Sequence, residues 1–140
     1  MSNVKRTERG WPGHYILSDR CVYHRNTLLE CGEQKIVVSS VGNLRTDLES
    51  KKMETIGAFG RYYETMVFET EQNGPYIDAD GAKECGYFRG LNYDNPESIP
   101  YNVDNMADEM HESVVAEVIA DMENGKTIKT IWERSDERQI

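Results

Sequence analysis

The pattern of hydrophobic and polar positions changes from strand-like to helical near residue 100. From His14 onward, short stretches rich in aromatic and β-branched residues predict strands. TLLEC (27–31) and KIVVSSV (35–41) flank a short loop that begins with Gly32, which predicts a β-hairpin. RYYETMVFET (61–70) carries apolar residues on both faces, as expected of a central strand covered on both sides. Further strands are predicted at 14–18, 21–24, 76–77, 85–88 and 127–132.

One long helix is predicted before Asn124-Gly125, a usual helix stop. Pro96 and Pro100 interrupt the chain ahead of this helix, and Asn102 can cap its N-terminus. The expected fold is therefore α+β, a mostly antiparallel sheet of about five or six strands with one C-terminal acidic amphipathic helix packed on it. His111 is expected on the surface of the helix. One apolar stripe is formed by Val103, Met106, Ala107, Met110, Val114, Val118 and Met122, and its members other than Ala107 are predicted to face the sheet.

The charge of this helix sets it apart from an ordinary solvated one. Residues 94–123 contain nine Asp or Glu and no Lys or Arg, in a chain of net charge -9. Asp104–Asp108 and Glu117–Asp121 are like-charge pairs at i, i+4, and such pairs destabilise a helix. The acids therefore indicate either a solvated face or a surface that contacts Lys and Arg of a partner. The candidate partner-binding acids are Asp104, Asp108, Glu109, Glu112 and Glu123.

Residues 1–12 are predicted to form a flexible basic arm, 13–132 a single α+β domain, and 133–140 a polar tail. The net charge repels nucleic acid and anionic membranes, so direct binding to duplex DNA is not expected. The sequence lacks an apolar run of bilayer length and a signal peptide, which predicts a cytoplasmic protein without membrane association.

A second candidate face combines aromatic and basic side chains, because Tyr and Arg are enriched at protein interfaces. It would bind a partner or form the contact of a homo-oligomeric accessory protein. Its members are Arg20, Arg25, Arg61, Tyr23 and Tyr62.

Four potential zinc ligands lie close together in the sequence. His14, Cys21, His24 and Cys31 follow the spacing H-x6-C-x2-H-x6-C. Only one pair of these ligands, Cys21 and His24, is closely spaced in the sequence, and in a strand the two side chains would point to opposite faces. Buried thiols and imidazoles therefore explain the residues without metal. No metal or cofactor is expected, and a small zinc-binding or metal-dependent protein remains the alternative. Phosphate-binding loops, nucleophile elbows and Cys–His catalytic spacings do not occur, which favours a non-enzymatic protein.

The segments RGWPGHYILSDRCVYHRNTLLE, VVSSVG, RYYETMVFET and MHESVVAEV resemble a group of small proteins carried by phages, prophages and plasmids. The resemblance covers roughly residues 9 to 120 and implies a mobile-element setting without any established activity. Many small acidic proteins in that setting block host defence, including restriction enzymes and CRISPR complexes, often by occupying a nucleic-acid-binding surface. This setting, together with the acidic helix, leads to the prediction of a non-enzymatic inhibitor in the bacterial cytoplasm that binds a host protein or ribonucleoprotein with a basic surface.

Overall fold

Five antiparallel strands form one sheet in the order β1-β2-β3-β4-β5, so that neighbours in sequence are neighbours in space. The computed structural model describes residues 3–9, 20–45, 53–56, 60–70 and 83–132. Within these ranges one long helix, Val103–Glu123 (α1), packs across β2 to β5. The predicted α+β class is confirmed. The elements are β1 (Lys5–Glu8), β2 (Cys21–Cys31), β3 (Gln34–Leu44), β4 (Arg61–Glu69), β5 (Glu84–Asn92), a short 3-10 helix (Pro96–Ser98) and α1 (Val103–Glu123).

The β2–β3 hairpin forms the centre of the sheet. Cys31 pairs with Gln34 across a turn of two residues, one fewer than predicted. Gly32 adopts φ +62°, which a glycine adopts without the steric cost that a Cβ atom brings. The segments 21–24 and 27–31, predicted as separate strands, are continuous in β2 because Arg25 and Asn26 also pair with β3.

The N-terminal segment differs from the predicted flexible arm. Lys5–Glu8 is an edge strand that pairs with β2, and the backbone N–H of Arg9 donates to the Asn26 carbonyl at 2.5 Å. Its sequence, KRTE, has no apolar pattern, so sequence periodicity could not reveal it. Residues 10–12, the strand predicted at 14–18, the strand predicted at 76–77 and the tail at 133–140 lie outside the described residues.

The prediction that residues 127–132 form a strand is wrong. The side-chain amide of Gln34 donates to the Ile128 carbonyl at 2.6 Å, and the Ile128 N–H donates back to Gln34 Oε1 at 3.3 Å. A side chain thus supplies the two hydrogen bonds that a neighbouring strand would otherwise provide.

Helix α1 is tied to the core by a stripe rotated slightly from the predicted one. Val103, Val114, Val118 and Met122 are buried as expected. Met106 and Met110 are only half-buried, because smaller and polar helix residues face the sheet in their place. The additional buried positions are Ala107, His111 and Val115.

Both faces of the sheet are buried at its centre. Val38 and Val67 pack with the helix residues Val114 and Val118. Phe68, which lies next to Val67 and points to the opposite face, is also buried. The prediction that 61–70 forms a strand covered on both sides is therefore confirmed by β4.

Candidate functional site

The acidic residues in the first turns of α1 meet two buried tyrosines of the sheet. The Tyr23 hydroxyl donates to Asp108 Oδ1 at 2.7 Å, and the Tyr63 hydroxyl donates to Asp104. The two rings contact each other edge to face, with centroids 5.4 Å apart. Burial, together with the adjacent carboxylate, raises the pKa of both phenols well above the usual value. Because neutral phenols are the donors, neither carboxylate loses its charge in these contacts.

Two arginines of the sheet bind the middle of the helix. Arg25 forms a bidentate pair with Glu8, with both N–O distances 3.0 Å, and also reaches Glu112 at 3.0 Å. Arg6 forms a second bidentate pair with Glu112, at 2.7 and 2.6 Å. The hydrogen bonds from Arg6, with those from Arg25, lower the pKa of Glu112 to about 2. The charge of Glu112 is therefore offset within the molecule.

His111 lies at the centre of a buried hydrogen-bond chain between α1 and the sheet. Its Nε2 is 2.7 Å from Thr27 Oγ1, and its Nδ1 is 2.6 Å from Ser40 Oγ, which is 2.5 Å from Thr65 Oγ1. The Thr27 hydroxyl donates to Glu8 Oε2 at 2.8 Å. An ionised carboxylate only accepts, so Thr27 must receive its other hydrogen bond from His111. This assigns the proton of the neutral imidazole to Nε2 and leaves Nδ1 to accept from Ser40.

The prediction that His111 lies on the surface is therefore wrong. Thr27, Ser40 and Thr65 make the sheet polar beneath this position, and an apolar helix residue would remove one hydrogen bond from Thr27 and one from Ser40. Burial, and next the charge of Arg25, lower the pKa of His111 to about 4, so the ring is neutral at pH 7. A Ser–His contact can serve nucleophilic catalysis, but Ser40 is fully buried and out of reach of a substrate.

The C-terminal half of α1 repeats the same type of contact. Tyr87 donates to Asp121 Oδ2 at 2.5 Å, and Arg89 pairs with Glu117 at 2.8 Å. Lys126, just after the helix, lies 3.7 Å from Asp121. These residues border a groove of about 680 Å³ between β5 and the chain that follows α1.

The five predicted partner-binding acids thus separate into two groups. Asp104, Asp108 and Glu112 bind side chains of the sheet. Glu109 and Glu123 are exposed on the outward side of α1. The like-charge spacing along the helix is explained, since opposite charges and phenol donors come from the sheet rather than from the helix itself.

The predicted Tyr and Arg face is used mainly for internal packing. Arg61 lies over the Phe88 ring, 4.9 Å from its centroid, while Tyr62 is buried against Tyr93 with centroids 6.2 Å apart. Arg20 is exposed ahead of β2. Tyr23 and Arg25 lie under α1, as described above. Partner binding by this set stays a prediction.

The alternative prediction of one zinc site formed by His14, Cys21, His24 and Cys31 is wrong. Cys21 and Cys31 are the first and last residues of β2, which separates them by roughly 30 Å at the usual rise per residue. A single metal ion cannot bind both, and His14 lies outside the described residues. Within the described ranges, three or more His, Cys, Asp or Glu side chains do not converge on a common point where a metal ion would fit.

The residues that join the helix to the sheet were not identified from the sequence pattern. Glu8, Thr27 and Ser40 were not singled out, and Arg6 was treated as part of a flexible arm. The available signal was the occurrence of Thr27 and Ser40 within otherwise apolar strands. Such interruptions indicate a polar partner on the packing element, although they do not identify it.

None of the helices that the described residues form is long and apolar enough to cross a membrane. Comparisons with known families, with curated proteins and with solved structures find no significant match to this chain.

Proposed function

We propose that this protein is a non-enzymatic inhibitor that binds a host nucleic-acid-handling complex through the outward side of α1. The partner is a protein or ribonucleoprotein whose basic surface normally holds nucleic acid, in the bacterial cytoplasm. The resemblance to proteins of phages and plasmids motivates the choice of a defence complex. The electrostatics of the helix motivate the choice of a basic partner.

The observation that carries this proposal is the acidic outward surface of α1. Asp104 and Asp108 accept from phenols, and Arg25 offsets part of the charge of Asp108 at 3.7 Å. Glu109 is exposed beside them. Residues 94–123 supply no Lys or Arg to offset these charges. The N-terminal half of α1 therefore presents negative charge on a rigid element, as a competitor of phosphate groups requires.

The acidic helix would compete with nucleic acid for the same basic surface, and no catalysed reaction is needed. Glu109 and Glu123 are 14 positions apart on one helix, roughly 21 Å along its axis. Lys and Arg of a nucleic-acid-binding groove would pair with the helix and become unavailable to phosphate. Such contacts accelerate association and weaken as salt is added.

The experiment is affinity capture from the natural host with charge-reversal variants. Glu109→Lys places a cation on the outward side, whereas Glu33→Lys makes the same change of charge in the β2–β3 turn. The partner captured by the wild type and identified by mass spectrometry should bind Glu109→Lys at least about tenfold more weakly, if the contact is worth 1.4 kcal/mol or more. Its affinity for Glu33→Lys should be close to that of the wild type.

The biological readout is the plating of phage on hosts that carry restriction or CRISPR systems. Expression of the wild type should restore plating on at least one of them, and Glu109→Lys should not. If Glu109→Lys binds and protects as well as the wild type, the outward side of α1 is not the inhibitory surface.

A further inference from the structure

A hollow of about 400 Å³ opens at the N-terminal end of α1, next to the charged surface described above. Its apolar lining consists of Met53, Pro96, Ile99, Pro100 and Val103, and its polar lining consists of Asn43, Arg45, Glu97, Tyr101 and Asp104. Met53 and Ile99 pack against the buried tyrosine cluster that includes Tyr63. The walls are thus anchored to the core, and the volume is large enough for an inserted side chain.

The charges at the hollow are unevenly distributed. At the inner end, Arg45 donates from Nε to Asn43 Oδ1 at 2.6 Å, and Asp104 accepts from Tyr63. Arg45 and Asp104 both line the hollow, and the positive charge of Arg45 opposes the rise in the pKa of Tyr63. The positive and negative charges at this end therefore offset each other. Glu97, also in the lining, is exposed and has no ionic partner among the described residues.

The rim also carries Tyr101, which is fully exposed at 102%. Such a ring contributes nothing to the packing of the described core, but it can stack on a planar or cationic group of a partner. Tyr101 follows Glu97 by four residues, and both line the same hollow. The opening therefore combines a carboxylate and an aromatic face above apolar walls.

We infer that this hollow receives an Arg or Lys side chain of the partner protein, with its methylene stem against Ile99 and Pro100 and its cationic head between Glu97 and Tyr101. Basic side chains combine an apolar stem with a charged end, which matches the distribution of apolar and charged groups here. An anionic ligand would meet Glu97 and the overall charge of -9. The inference rests on the proposed function, because it names the anchor point of the same basic partner.

The test uses a fluorescein-labelled Arg-Gly repeat peptide of about nine residues and the full chain, with anisotropy measured at about 0.15 M salt. Tyr101→Ala removes the ring and Glu97→Gln removes the charge, both at exposed positions. Each should weaken peptide binding about three- to tenfold. Glu33→Gln removes the same charge in the β2–β3 turn, outside the proposed binding surface, and should change binding less than about twofold.

A second measurement locates the peptide independently of affinity. In protein carrying 13C-labelled Met methyl groups, the Met53 signal should shift during titration, while that of Met66 in β4 should not. A shift that is lost in Tyr101→Ala supports insertion at the hollow.

The outcomes separate this inference from the proposed function. Peptide binding that is weakened by Glu109→Lys but unchanged by Tyr101→Ala and Glu97→Gln overturns the hollow as the anchor and leaves the acidic helix surface in place. Equal losses in Glu97→Gln and Glu33→Gln indicate diffuse attraction and overturn the inference as well. A wild-type protein that binds no Arg-Gly peptide overturns the hollow and counts against the proposed function too.

Discussion

At the residue scale, Gly42 is needed because the ring of Tyr63 lies directly on its backbone. A Cβ atom at this position would approach the ring atoms to between 2.1 and 2.7 Å. The ring cannot move aside easily, since Tyr63 is fully buried and its hydroxyl binds Asp104. This single contact links the strand β3 to the start of the helix.

Gly42→Ala should therefore destabilise the protein by about 2 kcal/mol, in the range of overpacked cores. Urea unfolding followed by circular dichroism measures this loss. In a Tyr63→Ala background the same substitution should cost much less, because the side-chain atoms that clash with the added Cβ are absent. An equal cost in both backgrounds would show that Gly42 is required for another reason.

The buried imidazole of His111 should make stability depend on pH. The folded protein holds its pKa at about 4, below the usual 6.5, so the neutral form is favoured in the folded state. As the pH falls from 6.5 towards 4, the unfolded chain gains a proton that the folded chain does not bind. Stability should thus decline by about 2 kcal/mol between about pH 6.5 and pH 5.

Denaturant titrations across that range measure the decline, and His111→Gln isolates it. The variant should be less stable at neutral pH but lose less stability on acidification. His24, whose pKa burial also lowers, accounts for any remaining slope. Glu112 contributes below its ordinary value near 4.5, where its stabilisation is lost as the pH falls towards 2. The same slope in both proteins would contradict a buried neutral His111.

At the element scale, β1 and α1 are joined by ion pairs of different burial. The Arg25 side chain is 21% exposed and binds both Glu8 and Glu112, whereas the Arg6 side chain is 37% exposed, and the two arginines share Glu112. Removing one partner of a shielded pair leaves the other charge without compensation, whereas exposed pairs contribute little. The two arginines should therefore differ in their contribution to stability.

Arg25→Met should lower the free energy of unfolding by about 2 kcal/mol, and Arg6→Met by less than about 1 kcal/mol. Methionine preserves most of the apolar stem, so that the comparison reports mainly on charge. Guanidinium chloride would screen the pairs, and urea is therefore the suitable denaturant. Equal losses in the two variants would indicate that burial does not set the strength of these contacts.

At the scale of the whole molecule, ion pairs within the protein offset part of the positive charge near the N-terminus. Arg6 and Arg25 are both paired with Glu112, and Arg25 also with Glu8. Binding to DNA requires cations that can neutralise phosphates and release their counterions. The free cations near the start of the chain are thus fewer than the sequence indicates.

The isolated protein should therefore bind duplex DNA more weakly than about 10 μM in a mobility-shift assay at physiological salt. Arg6→Met should change this result little, because Arg6 is already paired. Binding at micromolar concentration or tighter would favour a nucleic-acid-binding protein with an acidic regulatory face over the proposed inhibitor.

The fold class and the order of the main elements can be derived from the sequence alone. The apolar runs beside the Gly32 loop and at 61–70 identified β3 and β4, and the 3.6-residue stripe identified α1, because burial in a core imposes such patterns on the chain. The absence of Lys and Arg over 94–123 indicated either a solvated face or a surface that contacts Lys and Arg of a partner. These features depend on local spacing, which a single sequence displays.

The tertiary fold sets which side chains the helix acids and His111 contact. Glu112 pairs with Arg6 across 106 positions, and His111 bonds Ser40 across 71. Strand β1 exists for the same reason, since its polar residues are held by such contacts rather than by an apolar face. Hydrogen bonds between distant residues leave no period in the chain, because their geometry is set by how the helix crosses the sheet.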